Sequence, residues 1–551
     1  MKTFLTCVAA ALAIAACSKA PSEAPAPDEA RETAAQAAPG AAGGTYAAEG
    51  VAALTLPELA AAIKAGDVTS EEATKTYIAR IEAVDWAGPE LQSVLALNPD
   101  ALDAARAADA QREAGEALGA LHGVPVLLKD NIETADPMAT TAGALALKDN
   151  VTGRDSPLAA GLRAQGAIIL GKTNLSQWAN FRSNASMSGW SALGGQVKNP
   201  HMLDRNPCGS SSGSGAAVAA SLAAGAVGTE TNGSIICPSN VNGVVGFKPT
   251  VGLVSQDYIV PISFSQDTAG PMTKTVTGAA MMLNAMATGE AKTDYVAALD
   301  LDALDGARIG VLRFAEGSNA DISEKFSAAL EAMEAAGAVL VDIDKFEPAT
   351  ENFRGKGYEV LLYEFKATLN DYLADAAPAV TTRSLDDLIA FNEGHADIEL
   401  ALFDQSIFEE AAEKNGLDDP DYISARDDVQ KAAGPDGLDA LMAEHQVDIL
   451  VSPSGPVTPR VDPVNGDVWP DWAGAGYLAA MAGYPHLTVP MGTVHDLPIG
   501  VSFMGAKNED AKVLSFGYAY EQKTMARAEP KYLPTAQALN DIAAAMKRKA
   551  E

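Results

Sequence analysis

Apolar residues recur along most of this chain at two spacings, one typical of helices and one typical of buried strands. Thr69-Ser70-Glu71-Glu72 is typical of the amino terminus of a helix, and we predict that this helix continues to Asp85. Its apolar residues fall on one stripe, namely Ala73, Tyr77, Ile78 and Ile81. The continuous apolar run PVLL at 125–128 instead predicts a buried strand that ends at Lys129.

The two patterns alternate through the rest of the chain. We predict further helices over 158–165, 213–224 and 323–336. We predict further strands over 93–97, 167–170, 226–229, 308–312, 338–343, 448–451, 486–490 and 499–503. Such alternation is typical of an α/β fold, and no break in composition divides it, so we expect one large domain.

The amino-terminal residues have a different character. Residues 1–17 place Lys2 before an apolar run that is too short to span a bilayer and that fits an export signal. The run ends in Ile14-Ala15-Ala16-Cys17, which resembles a bacterial lipobox whose cysteine is lipidated; an ordinary cleaved signal is the alternative. Residues 18–53 are rich in Ala, Pro and Glu, which is typical of a tether. We therefore expect an exported lipoprotein of the periplasm or cell envelope, with its folded domain over residues 54–540.

Charge and composition exclude several classes of partner. With 39 Lys and Arg against 72 Asp and Glu, the 551-residue chain carries a net charge of −33, which repels nucleic acid. Its six histidines show no metal-binding spacing, and we expect neither a metal nor another cofactor. Outside the export segment the cysteines are Cys208 and Cys237, which an oxidising compartment could bridge or leave as buried thiols.

Three stretches suggest catalytic chemistry, and two of them fail on physical grounds. GAIILGKT at 166–173 fits the phosphate-loop pattern, but its apolar AIIL predicts a strand where a bare turn is needed. Gly209-Ser-Ser-Ser-Gly213 fits the hydrolase elbow pattern, yet no apolar strand precedes it and no downstream histidine stands out as a base.

The third possibility combines two serine-rich loops with a lysine. Successive small residues in Thr231-Asn232-Gly233-Ser234 let backbone N–H groups converge on one point, as an oxyanion hole requires. The other loop is RNPCGSSSGSG at 205–215. A buried lysine can replace histidine as a base if its pKa falls by roughly 3 units from about 10.4. Lys129 ends a buried strand and is the candidate.

These loops resemble the amidase signature family. The serine- and glycine-rich signature stands at 208–217, followed by GTETNGSI at 228–235 and GVVGFKPTVGLVS at 243–255. LHGVPVLLKDN at 121–131, GKTNLSQWAN at 171–180 and DTAGPM at 267–272 also match. The resemblance spans roughly residues 54–524. It implies a single large domain with a mixed, twisted β-sheet covered by helices on both faces.

The resemblance also implies roles for individual residues. Ser234 would be the nucleophile, Ser210 the bridging serine that follows a cis peptide bond at Gly209, and Lys129 the base. Thr231, Asn232 and Gly233 would form the oxyanion hole and bind substrate, and Ser211 would hold the site by hydrogen bonds. Lys172, Lys248 and Asp267 are more simply explained as structural.

The substrate follows from finer features of the same resemblance. LLYEFKATL at 361–369 and SLDDLIAFN at 384–392 are similar to the subgroup that hydrolyses the C-terminal carboxamide of peptides. Ile236 stands where an arginine is common, which argues against a free-carboxylate substrate and against a role in tRNA amidation. We expect a monomer that touches the membrane only through a lipid on Cys17. The alternatives are a broader amidase for small acyl or aryl amides and a non-catalytic binding lipoprotein.

Overall fold

The computed structural model describes residues 46–547, and eleven strands in this range form one sheet. In chain order the strands are β1 Val94–Leu97, β2 Pro125–Lys129, β3 Ile168–Thr173, β4 Gly225–Glu230, β5 Val245–Lys248, β6 Thr268–Thr273, β7 Arg308–Leu312, β8 Val339–Ile343, β9 Ile449–Pro453, β10 His486–Val494 and β11 Leu497–Met504. A separate two-stranded ribbon pairs Trp190–Ser191 with Gly195–Gln196.

The sheet is mixed, with the strand order β1-β3-β2-β4-β6-β5-β10-β11-β9-β7-β8. Strands β3, β2 and β4 run parallel to one another, as do β9, β7 and β8 at the other end. The strands between these groups pair antiparallel, and so does edge strand β1 with β3. Strands β2, β3 and β4 are buried along their whole length, which requires cover on both faces of the sheet.

Helices supply that cover, and the expected α/β domain is confirmed. They are α1 Leu56–Ala65, α2 Ser70–Arg80, α3 Ala101–Glu113, α4 Pro157–Ala164, α5 Ser212–Ala219, α6 Ile236–Asn242, α7 Val276–Met286, α8 Ala320–Ala335, α9 Phe353–Ala374, α10 Leu385–Gly394, α11 Ala396–Glu399, α12 Ser406–Ala412, α13 Pro420–Ala433, α14 Asp439–His445, α15 Gly476–Ala482, α16 Asp510–Thr524 and α17 Asn540–Ala545.

Most predicted elements lie where the apolar pattern put them. Thr69 accepts a hydrogen bond from the Glu72 N–H and caps α2, which passes into a π-turn over Ile81–Asp85. The rejected phosphate loop is indeed a strand, because residues 168–173 form β3. The predicted helix over 213–224 is wrong in its second half. It ends at Ala219, and Ser221 adopts a left-handed backbone (φ 59°) that turns the chain into β4.

The amino-terminal boundary also differs from the expectation. Residues 46–53 pack on the domain rather than forming tether: the Tyr46 ring contacts the Tyr532 ring edge-on, and Arg80 donates to the Tyr46 carbonyl at 2.6 Å. The predicted export signal and its Cys7 and Cys17 lie outside the described residues. Between residues 46 and 547, no helix has the length and apolar character needed to cross a membrane.

Candidate active site

The site begins at the carboxyl ends of two neighbouring parallel strands. Strands β2 and β4 pair with Leu128 opposite Val227. Lys129 follows one residue later and Thr229 two residues later, so both emerge at the same edge of the sheet. Ligands bind at such carboxyl edges in open α/β sheets because loops converge there. Here Lys129 is the last residue of β2, the turn after β4 carries Ser234, and Ser210 lies in the segment between β3 and α5.

Lys129 is completely buried, and its amine contacts Ser210 and Thr229, the second of which lies in the strand that leads to Ser234. Its Nζ lies 2.7 Å from Ser210 Oγ, 2.8 Å from Thr229 Oγ1 and 3.3 Å from the Thr229 carbonyl. Burial lowers the pKa of Lys129 to about 7, against the opposing influence of the carboxylates of Asp267 and Glu230. A large fraction of this amine is therefore neutral near pH 7 and can accept a proton.

The segment 208–211 is held rigidly beside Lys129. The Gly209–Ser210 peptide bond is cis, as the family resemblance implied. Gly209 has no room for a side chain, because a Cβ there would lie 2.1 Å from Ser176 Oγ. Ser176 donates its N–H to the Ser210 carbonyl at 3.1 Å. The backbone of Ser210 is thereby held beside Lys129, and the Lys129 amine contacts its hydroxyl.

Ser211 connects the two serine loops. Its N–H donates to the Ser234 carbonyl at 3.1 Å, and its hydroxyl donates to the Thr229 carbonyl at 3.0 Å. The same hydroxyl accepts the Thr229 N–H at 3.1 Å. The N–H and the hydroxyl of Ser211 are therefore both engaged in hydrogen bonds that hold the two loops together, as expected from the sequence.

Ser234 is the most accessible of the three candidate catalytic residues, with 9% of its surface exposed against 0% for Lys129 and Ser210. It follows Gly233, whose left-handed backbone (φ 86°) favours glycine, and it precedes helix α6. The Glu230 carboxylate accepts the N–H groups of Ile235 and Ile236 at 2.7 and 3.0 Å. This contact fixes the turn that presents Ser234.

Thr231 is anchored from the opposite side. Its hydroxyl donates to Asp267 at 2.5 Å, and the same carboxylate accepts the N–H groups of Ile262 and Ser263. Burial raises the pKa of Asp267 to about 6, while these three hydrogen bonds favour its ionised form. Asp267 therefore holds Thr231, and with it the start of the loop that carries Ser234, through a direct hydrogen bond. Lys172 and Lys248 contact other segments and do not reach the serines.

A disulfide between Cys208 and Cys237 joins the two loops and resolves the pairing that the sequence left open. Cys208 lies two residues before Ser210, and Cys237 lies three residues after Ser234. Both sulfur-bearing side chains are buried against Val241 and Trp469. The linkage therefore forms one wall of the site.

The site opens into a cavity of about 530 Å³. Asn232 and Gly233 of the nucleophile loop line it, together with Cys208, Gly209 and Cys237. Aromatic and apolar side chains form much of the remaining lining: Tyr358, Leu361, Trp469, Trp472, Tyr477 and Met481. Arg354 also lines the cavity, with its guanidinium 4.8 Å from the centre of the Tyr477 ring. Within residues 46–547, no cluster of histidine, cysteine, aspartate and glutamate has the composition of a metal site.

The structure thus brings Lys129, Ser210, Ser211, Thr231 and Ser234 into one site, as the sequence predicted. It adds residues that sequence reasoning missed, namely Thr229, Glu230 and Asn131, whose amide donates to Thr229 Oγ1 at 3.0 Å. Asn131 and Thr229 lie within motifs that the sequence analysis recognised, and this position was the available signal. Their contact with each other depends on the pairing of β2 with β4. Asn232 lines the cavity with an exposed side chain.

Comparisons with known proteins find chains of similar sequence and similar fold. The sequence profile of the family described as Amidase matches residues 72–514. A probable amidase of Arabidopsis thaliana is 35% identical over 500 residues, covering 87% of this chain and 91% of the relative. The crystal structure of native peptide amidase from Stenotrophomonas maltophilia is 46% identical, with a TM-score of 0.81, and covers 87% of this chain and 99% of that one. A structure of the peptide amidase PAM with the competitive inhibitor chymostatin is 47% identical, with a TM-score of 0.82, over 87% of this chain and 99% of that one.

Proposed function

Because this chain belongs to the amidase signature family and hydrolyses amide C–N bonds, we propose that it removes the C-terminal carboxamide of peptides by means of Lys129, Ser210 and Ser234. The observation that carries the catalytic part of this proposal is the 2.7 Å contact between Lys129 Nζ and Ser210 Oγ. A buried amine with a pKa of about 7 at that distance is suited to take a proton from a serine hydroxyl.

The reaction would proceed through an acyl-enzyme. Neutral Lys129 accepts the Ser210 proton as Ser210 accepts the proton of Ser234, and Ser234 Oγ attacks the amide carbon. N–H groups of the Thr231–Ser234 loop stabilise the oxyanion, an interaction whose single donors are worth about 10²–10³ in rate. The proton returns through Ser210 to the departing nitrogen, which leaves as ammonia. Water then cleaves the ester by the same proton path.

The cavity supports a peptide as the acyl portion of the substrate. Ammonia needs almost no room, so a volume of about 530 Å³ serves the acyl group. Its aromatic wall fits an apolar side chain of the substrate, while the amides of Asn180, Asn232 and Gln266 offer partners for a peptide backbone. The likeness to peptide amidase, which extends over nearly the whole of that enzyme, supports the same substrate class.

A panel of amides tests this function. We expect ammonia release from N-acetyl dipeptide amides, with a higher kcat/KM when the C-terminal residue is leucine or phenylalanine than when it is glycine, because the aromatic wall packs against an apolar side chain. Coupled ammonia assays measure the rates. Turnover confined to simple aliphatic or aryl amides would instead favour the broader amidase, and this outcome would contradict the peptide proposal.

A fluorophosphonate probe separates an amidase from a binding protein with the same fold. An activated serine reacts covalently with the probe, and mass spectrometry of the labelled peptide should place the adduct on Ser234. A protein without catalytic activity would remain unmodified. The probe is independent of the natural substrate, so labelling without amide turnover would show that the substrate alone had been misassigned.

We propose further that the chain is exported and anchored through a lipid on Cys17. The Cys208–Cys237 disulfide supports an oxidising compartment, where such bonds persist. In a Gram-negative host, the full chain should fractionate with membranes, and Cys17→Ala should move to the soluble periplasmic fraction. Soluble behaviour of both proteins would contradict the anchor, and recovery of both in the cytoplasm would contradict export.

A further inference from the structure

The disulfide occupies a place in the site that neither the serines nor the lysine explains. It closes a loop of chain between positions 29 residues apart, and that loop contains α5, β4 and the nucleophile turn. Ser210 lies just inside one end of this loop, and Ser234 lies just inside the other. The single covalent connection across the site therefore joins the two segments that carry the reacting hydroxyls.

The backbone at one end of the linkage is unusual. Cys208 has a left-handed conformation (φ 54°), which favours glycine over residues that carry a Cβ. Its carbonyl accepts the Ser212 hydroxyl at 2.5 Å, and its N–H donates to Asn206 Oδ1 at 2.8 Å. Glycine would suit this backbone better, so the presence of a cysteine here is consistent with a need for its sulfur.

The other end of the linkage lies in the first turn of α6. The Cys237 N–H donates to the Gly233 carbonyl at 2.8 Å, so its backbone is joined directly to the nucleophile turn. The Ser211–Ser234 hydrogen bond is the parallel, non-covalent connection between the same loops. Any movement of Cys237 relative to Cys208 changes the separation of the two serine loops.

From these contacts we propose that Cys208 and Cys237 are a positioning pair for the reaction, because their disulfide sets the distance across which Ser234 passes its proton to Ser210. This inference rests on the proposed serine chemistry. A displacement of about 1 Å in such a site can lower a rate by about 10²-fold. Reduction should therefore slow the chemical step more than it weakens substrate binding.

Variants separate this role from ordinary stabilisation. For Cys208→Ser/Cys237→Ser we expect kcat to fall at least tenfold, with KM within about threefold of wild type and an unchanged circular-dichroism spectrum. Cys208→Gly should lose kcat similarly, although glycine suits the backbone there. Val241 packs against the same two cysteines, so Val241→Ala is the matched control. This variant should have a lower melting temperature and an unchanged kcat.

Reduction of the wild-type enzyme makes the test independent of variant folding. Tris(2-carboxyethyl)phosphine gives two electrons to the S–S bond and becomes the phosphine oxide with oxygen from water, while the two sulfurs take up protons as thiols. Because both cysteines line the cavity, the phosphine has a route to them. We expect kcat to fall in proportion to the thiols found at Cys208 and Cys237 by peptide mass spectrometry, and to recover on reoxidation.

Two results would contradict the positioning role of the disulfide. A reduced wild-type enzyme, or a folded double variant, that retained full kcat would overturn the positioning role. If no amide were turned over, the rate of fluorophosphonate labelling at Ser234 would provide the same comparison between oxidised and reduced protein. Failure of the substrate proposal is thereby distinguishable from failure of the positioning proposal.

Discussion

Ser234→Ala is expected to lower kcat on the best amide substrate by about 10⁶-fold, the size of loss that follows removal of a serine hydrolase nucleophile. Without the hydroxyl no acyl-enzyme can form, and the remaining oxyanion donors act only on direct attack by water. The measurement is ammonia release over long incubations, corrected for the uncatalysed rate. Labelling by the fluorophosphonate probe should disappear with the activity.

The matched control is Ser327→Ala, which removes an exposed hydroxyl from helix α8, outside the residues that line the cavity, and should leave turnover and labelling unchanged. Retention of more than about one per cent of wild-type kcat by Ser234→Ala would show that another residue is the nucleophile. A folded, inactive variant that still accepted the probe elsewhere would lead to the same conclusion, since the labelled peptide would identify the alternative.

Lys129→Met is expected to lower kcat by about 10²–10⁴-fold, the usual contribution of a general base. Methionine keeps the length and much of the volume of the side chain but cannot accept a proton from Ser210. KM should change little, because Lys129 has no exposed surface with which to touch substrate. Turnover equal to wild type at pH 7 would exclude Lys129 as the base and with it the proposed proton path.

The pH dependence of the wild-type enzyme provides the second measurement for this residue. Protonated Lys129 is inactive as a base, so kcat/KM should rise tenfold per pH unit below about pH 7 and level off above it. An N-acetylated substrate removes the titration of its own amine from the profile. The residual activity of Lys129→Met should lack this limb, and a wild-type limb above pH 9 would contradict a lysine of lowered pKa.

Much of this architecture could be predicted because strongly apolar strands and sequence motifs are local signals. The run PVLL specified β2 and put Lys129 at its buried end, and the small residues around Ser210 and Ser234 marked two tight loops. The contacts that bring Lys129 and the two serine loops together are not local in the sequence. Lys129 meets Thr229 only because β2 pairs with β4, across 100 residues of sequence.

Other features depended on tertiary structure that overrides local preference. The alanine-rich run after Ser212 favours a long helix, yet α5 ends at Ala219 because the chain must turn to enter β4 beside β2. The Cys208–Cys237 bond could not be predicted without knowing that the two serine loops lie side by side. One wall of the cavity comes from α9 and α15. The run LLYEFKATL in α9 was recognisable, but nothing local in the sequence showed that these two helices pack against the site.

The buried amine of Lys129 also affects how firmly the protein is folded. Its usual pKa of 10.5 falls to about 7 on folding, so between these values the unfolded chain binds the proton that the native chain releases. The free energy of unfolding consequently rises with pH across that window, and at pH 7 and below the native state is disfavoured by about 5 kcal/mol. That deficit is comparable to the entire net stability of many domains.

A catalytically dead Lys129→Met protein should therefore melt at a higher temperature than the active enzyme, with the difference narrowing toward pH 10.5. Of the three atoms that contact the amine, Thr229 Oγ1 still accepts from Asn131 and the Thr229 carbonyl still accepts from Ser211. Ser210 Oγ loses its contact with Lys129, and this loss offsets part of the gain. In this protein the low pKa of Lys129 favours reactivity and lowers resistance to denaturation at the same side chain. The extensive hydrophobic core around the sheet supplies the stability that this buried amine costs.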